Sequence, residues 1–297
     1  MSEPLSQPEN FERLPQEGAT SGFAETTSQA AAHGAEHGDS ALHVVFIPDN
    51  IGSFLGYDFS NTLLTSVIAS LFLITFAFYI GRKITTTGTP GRLQIFFEGL
   101  VEYIHDQMNK ILGSDRITTI AFPLIITLFL YILVANWIEF LPGIGSIRFI
   151  DPATGKLGET YLFRGPNTDL NMTIALAIIS FVFIEFMGFR SQGFAYLKNF
   201  FNFSSPINFF VGLIELISEF ARLISLPFRL FGNIFAGEIL VLLAITLQKV
   251  VFEWIKIPFP FPVPIMLFEI GVGLLQAAVF ALLTLFFIKQ ATTAHQH

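Results

Sequence analysis

Apolar residues in this chain come in long runs, separated by short polar stretches that hold most of the charge. About 20 apolar residues cross a hydrocarbon core of ~30 Å as a helix. Runs of that order lie near 61–81, 118–140, 170–189, 206–248 and 265–288. Residues 91–113 have a different rhythm. Leu93, Phe96, Phe97, Leu100, Ile104, Met108 and Ile111 recur at helical spacing, and Arg92, Glu98, Glu102, His105, Asp106 and Asn109 fill the other face. That pattern predicts an amphipathic helix lying on the membrane surface, open to a soluble partner. The expected fold class is therefore an all-α polytopic membrane protein with about five membrane-crossing helices and one surface helix.

Basic residues set the expected direction of the chain. Arg82 and Lys83 close the first span, Arg190 and Lys198 follow the third, and Lys289 ends the last. By the positive-inside rule these ends are cytoplasmic, which places the N-terminus outside and the tail 291–297 in the cytoplasm. Pro142-Gly143, Pro152 and Gly165-Pro166 mark an external loop between the second and third spans. Ile257 to Pro264, with proline at every second position from Pro258, is expected to be an extended external connector. The apolar stretch from Pro206 to about Gln248 admits two readings, a break at Pro227 or one helix of about 60 Å that must tilt steeply. With the last span it forms a long helical hairpin.

Composition changes this picture only at the N-terminus. Residues 1–41 carry Glu3, Glu9, Glu12, Glu17, Glu25, Glu36 and Asp39 against Arg13 alone, so nearly all of the formal net charge of −7 sits there. Poor in large apolar residues, this segment is expected to be a disordered acidic external tail. Residues 42–290 then form a single membrane domain. The tail has neither the apolar core of a signal peptide nor the arginines of a transit peptide, which points to a bacterial inner membrane over a mitochondrial one. No basic field exists to attract nucleic acid. Cysteine is absent, His33, His37 and His43 lack a second ligand cluster, and no nucleotide, hydrolase or metalloprotease motif occurs. No cofactor or metal is expected, and the chain is not expected to be catalytic alone.

The chemistry lies in polar residues inside the apolar runs. Glu215, Ser218, Arg222, Ser225, Arg229 and Asn233 are spaced three or four apart and share one stripe of a helix. An arginine at mid-bilayer costs roughly 2.5–3.5 kcal/mol on insertion scales, and its guanidinium cannot shed its proton. Glu238, nine residues past Arg229, turns to the opposite face, so the helix carries two offset polar faces. The last span adds Glu269 and Gln276 on one face, beside Gly271, Gly273, Ala277 and Ala278, which allow close helix approach. Glu238 and Glu269 flank the same connector, where their carboxylates can approach and act as a proton relay. Asn136, Glu139, Asp169, Asn171 and Thr173 gather at the external ends of the second and third spans. Plainer readings stay open: Arg229 bridged to Glu215 or Glu219, Glu238 and Glu269 at the headgroups, Glu185 as a structural hydrogen-bonding group. A transporter binding an anion at Arg229, or a structural scaffold, are the alternative functions.

The run Ser225-Leu226-Pro227-Phe228-Arg229-Leu230-Phe231-Gly232-Asn233-Ile234-Phe235-Ala236-Gly237-Glu238 resembles the signature of subunit a of F-type ATP synthases. Asn136-Trp137-Ile138-Glu139-Phe140-Leu141-Pro142 and Asp169-Leu170-Asn171-Met172-Thr173 also match in order, and the resemblance covers about residues 42–290. It implies one long tilted helix through Pro227 that faces a rotating ring of c subunits. It implies ion translocation, most simply of protons, through two offset half-channels, with Arg229 facing the ring. Glu238, Glu269, Gln276 and Asn233 would belong to the ion path, with Glu269 standing where other members carry histidine. Asn136, Glu139, Asp169, Asn171, Glu215, Ser218, Arg222 and Ser225 would line the half-channels. The implied partners are the c-ring, peripheral-stalk b subunits, the remaining synthase subunits and membrane lipid.

Overall fold

The computed structural model describes residues 50–54, 57–84, 91–141, 147–150, 157–194, 196, 205–256 and 260–293. The acidic tail 1–41, the turns at Pro142-Gly143 and Pro152, Lys198 and residues 257–259 and 294–297 lie outside them. Six long helices carry the described chain: α1 (Asn61–Lys83), α2 (Arg92–Leu112), α3 (Asp115–Trp137), α4 (Leu170–Gln192), α5 (Pro206–Ile255) and α6 (Pro262–Thr292). All but α2 are long and apolar enough to cross a membrane. This is an all-α polytopic membrane protein, as the apolar runs predict.

Local chemistry fixes the helix ends. The Ser60 hydroxyl accepts from the Leu63 amide at the start of α1, and the Asp169 carboxylate accepts from the Asn171 amide at the start of α4. Both satisfy first-turn amides that have no intrahelical acceptor. At the other end of α1, Arg82 and Lys83 complement the helix dipole and lie over the rings of Phe78 and Tyr79. Gly113 ends α2 at φ 71°, a left-handed conformation that costs glycine nothing. Within the spans, hydroxyls fold back onto the carbonyl four residues earlier, as in Thr65 to Asn61, Thr127 to Pro123, Ser180 to Leu176 and Thr284 to Phe280. A polar side chain is thereby satisfied without a partner helix.

α5 runs unbroken through Pro227 for 50 residues, about 75 Å. Of the two readings open to its apolar stretch, the continuous helix is the one observed, and it extends to Ile255. Proline at this position removes one backbone hydrogen bond, and Leu226 and Pro227 are packed inside the bundle. The proline-rich connector requires a correction. Pro262 and Pro264 belong to the first turn of α6, where an amide hydrogen is not needed. Two short hairpins were also not anticipated. β1 (Asn50–Phe54) pairs antiparallel with β2 (Tyr57–Ser60) directly before α1, with Ser53 opposite Asp58 and an irregular register between Asn50 and Gly52. β3 (Arg148–Ile150) pairs with β4 (Leu157–Tyr161) between α3 and α4.

The core is built where α3, α4, α5 and α6 meet. Leu128, Ile132, Ala177, Leu226, Leu230, Ile234, Ala277 and Phe280 form one buried cluster, and the C-terminal half of α2 closes a second through Met108 and Leu112. α5 and α6 run antiparallel: Arg222 lies over Phe287, Asn233 bonds Gln276, and Gly237 backs onto Glu269. Ser191 and Gln192 donate to the last carbonyls of α6, so α4 and α6 finish side by side with Arg190 and Lys289 at one end of the bundle. The first half of α2 keeps Ile95, Phe96, Leu100 and Val101 exposed, as a surface helix does when its apolar face meets lipid.

Candidate functional site

Arg229 is exposed on the outer face of α5 and makes no ion pair among the described residues. The alternative bridge to Glu219 is not formed, because Glu219 holds Arg222 instead at 2.6 Å. Four of the six stripe residues, Arg222, Ser225, Arg229 and Asn233, lie along the seam between α5 and α6. Arg222, Ser225 and Arg229 line a cleft of about 210 Å³ with Ala221, Leu226, Leu283 and Phe287. The Arg222 guanidinium lies 4.7 Å above the Phe287 ring. Asn233 donates to Gln276 Oε1 at 2.8 Å across the seam. Ser218 is satisfied by the Ile214 carbonyl.

Toward the loop end of the bundle, polar groups converge from α3, the turn after it, the connection before α4, α5 and α6. Asn136, near the end of α3, donates to the Gly273 carbonyl of α6 at 3.0 Å and accepts from Asn167 at 2.7 Å. The short turn Ile138–Phe140 carries Glu139, whose carboxylate lies against Gly165, where a Cβ would come within 2.5 Å of Oε2. Glu139 is within electrostatic reach of Glu238, Arg164 and Glu269. Glu238 pairs with Arg164 at 3.1 Å. Glu269 is buried, with its carboxylate packed on the Cα of Gly237, where a Cβ would stand 1.5 Å from Oε1. Glu269 Oε1 and Gln276 Nε2 are buried with no hydrogen bond to another described residue. Such groups in an apolar setting cost ~1–3 kcal/mol each when left dry.

The remaining candidates divide. Asp169 is buried as the cap of α4, where its second oxygen accepts from Thr62 of α1 at 2.9 Å, so it ties two helices together. Thr173 is buried on the Leu170 carbonyl, and Asn171 is exposed. At the basic end, Glu185 of α4, Tyr196, Glu219 and Arg222 form a second ionisable group. Tyr196 donates to Glu185 at 3.4 Å, and its ring covers Gly188. Burial, with the Glu185 carboxylate beside it, pushes the Tyr196 phenol up, so it stays protonated and remains a donor.

Sequence reasoning passed over Arg164, Asn167 and Tyr196. Each sits in or beside a polar connection, where a polar residue carries no signal of its own. Arg164 meets its partner 74 positions further along the chain.

These features define a class: multi-pass helical membrane proteins that carry ionisable groups on their long apolar helices, with an exposed arginine between two clusters of them. The chain matches the family model for the ATP synthase A chain over residues 63–289, and it belongs to that family. It is 36% identical over 238 residues to ATP synthase subunit a of Mycobacterium bovis, covering 78% of this chain and 86% of that one. It is 32% identical over 265 residues to that of Acidothermus cellulolyticus, with 86% and 87% covered. Against that of Haemophilus influenzae it is 29% identical over 283 residues, with 93% and 100% covered.

Proposed function

We propose that the chain moves protons across a bacterial inner membrane as a non-catalytic subunit of an F-type ATP synthase. Arg229 faces a rotating ring of c subunits that carry membrane-embedded carboxylates. The observation that carries this reading is the position of Arg229, exposed on α5 with no described counter-ion, between two ionisable clusters. Glu238 lies about 14 Å along the helix on one side and Glu219 about 15 Å on the other. In this reading the two clusters act as separate half-channels with the fixed charge of Arg229 between them, and a proton passes from one to the other only by riding the ring. Asn136, Glu139, Glu238, Glu269 and Gln276 would serve the external path. Glu215, Ser218, Arg222 and Ser225, with Glu185 and Glu219, would serve the cytoplasmic path. Asn233 joins the two helices beside Arg229.

The fixed guanidinium attracts each arriving c carboxylate in its ionised form, favours release of its proton, and blocks a direct leak. Each charge that crosses supplies about 2.3 kcal/mol per 100 mV, which the ring converts to torque for remote catalytic subunits. The exposed first half of α2 and the outer faces of α1 suit lipid and the peripheral-stalk b subunits. An anion transporter would be expected to hold its arginine in an enclosed pocket, whereas Arg229 opens onto a surface cleft.

Arg229→Ala is expected to abolish ATP-driven proton pumping in inverted vesicles while the complex still assembles. Arg229→Lys is expected to fail as well, because a compact ammonium can deprotonate when desolvated. Pumping at the unmodified rate in Arg229→Ala vesicles would overturn the proposal.

A further inference from the structure

A cavity of about 310 Å³ opens beneath the second half of α2, between it, α3 and α6. It shares no residue with either ionisable cluster. Tyr103 and Gln107 are the two polar residues of its lining, and both turn only carbon surface into it. Its depth comes from α6, where Ala278 and Ala281 present small side chains to a space that a larger residue would fill. Water in such a space finds none of the polar partners that would hold it. Hydrocarbon suits it better.

The cavity also has a direction. α3 lines it with Ile125, Ile126 and Phe129, ~15–21 Å along the helix from its start at Asp115. That depth lies inside a hydrocarbon core of ~30 Å. On the α2 side the rim is polar. Tyr103 is 62% exposed, and Lys110, seven residues later, falls on the same flank of the helix. Asp106 stands one turn before Lys110. Both charged residues are exposed and make no ion pair among the described residues. A dry interior below a rim that carries one positive and one negative charge matches an amphiphile with a zwitterionic head.

We propose that this cavity binds one phospholipid with an ethanolamine head group. One acyl chain fills the space between α2, α3 and α6, the phosphate meets Lys110, and the ammonium meets Asp106. A head group carrying the phosphate alone would set its charge against Asp106 and Glu102. The bound chain completes the packing of α2 against the bundle. The inference requires only that the long helices cross a membrane, and it stands apart from the role of Arg229.

The test uses the whole complex in phosphatidylcholine vesicles with a trace of phosphatidylethanolamine that carries a diazirine on one acyl chain. After illumination, peptides holding Met108, Ile125 and Ala278 are expected to be labelled about fivefold more than those holding Phe72 and Ile74, which are exposed on α1. Ala278→Phe fills the cavity and should bring this labelling down to the α1 level. Lys110→Gln and Asp106→Asn should each reduce it about threefold. Labelling of the cavity no stronger than that of α1, or unchanged in Ala278→Phe, would overturn the proposal. Equal labelling by a phosphatidylglycerol with the same diazirine chain would overturn it too, since the site would then be indifferent to the head group. If Ala278→Phe does not assemble, Ile126→Trp fills the same space from α3 and decides by the same criterion.

Discussion

At the scale of single residues, the closest approach to any described glycine is that of Glu269 to Gly237. A methyl group at position 237 would stand 1.5 Å from Glu269 Oε1, a covalent distance, so the carboxylate must swing away or the helices must part. Gly237→Ala is expected to leave the complex assembled but to cut ATP-driven pumping at least tenfold. Adding Glu269→Asp, which draws the carboxylate back by one methylene, should restore part of the loss. Measured together with the amount of chain in the membrane, undiminished pumping in Gly237→Ala would show that this seat does not matter. Arg229 and its stripe are legible in the sequence because a charge inside an apolar run stands out against its surroundings. The pairing of Gly237 with Glu269, or of Arg164 with Glu238, is not. Those contacts depend on how antiparallel helices are set against one another, and neither glycine nor a loop arginine departs from its local background.

At the scale of elements, apolar length is a sufficient signal for the spans, because the bilayer sets how many residues a helix needs. Their ends follow other rules, which is why α6 begins at Pro262 inside a stretch that reads as extended, and α5 runs on to Ile255. The β3–β4 hairpin left no comparable mark, since Arg148–Ile150 is only three residues long. Helix spacing is set by small residues. A Cβ at Gly273 would meet the Cβ of Asn136 at 3.0 Å, so α3 and α6 approach as closely as glycine permits. Alanine there asks its neighbour to yield a few tenths of an ångström, whereas the branched methyls of valine do not fit. Gly273→Val is therefore expected to break the Asn136–Gly273 bond and to cost about 1–3 kcal/mol through overpacking. Heating purified complex should show a lower melting temperature for Gly273→Val than for Gly273→Ala. Equal melting of the two would place no close contact at this position.

At the scale of the whole molecule, the bundle has two chemically different ends. One gathers Arg190 and Lys289 at the neighbouring ends of α4 and α6. The other holds the β3–β4 hairpin, the turn Ile138–Phe140 and the Arg164–Glu238 pair. Positive residues remain on the cytoplasmic side during insertion, so the basic end should face the cytoplasm and the hairpin end the exterior. The proposed function depends on this orientation: if Glu269 serves the external path, its corner must face outside for inward flow to drive synthesis. The absence of cysteine makes the orientation directly measurable, since one introduced thiol is the only one in the chain. Ile147 and Thr293 are both exposed and lie outside the helices at opposite ends. Thr293→Cys is expected to react with a membrane-impermeant maleimide in inverted vesicles and to be shielded in right-side-out ones, and Ile147→Cys should show the reverse. Exchange of the two labelling patterns would invert the molecule, and with it the sides proposed for Glu269 and Glu219. Labelling of both thiols from one side would be incompatible with the odd number of crossings between them, since α4, α5 and α6 separate the two positions.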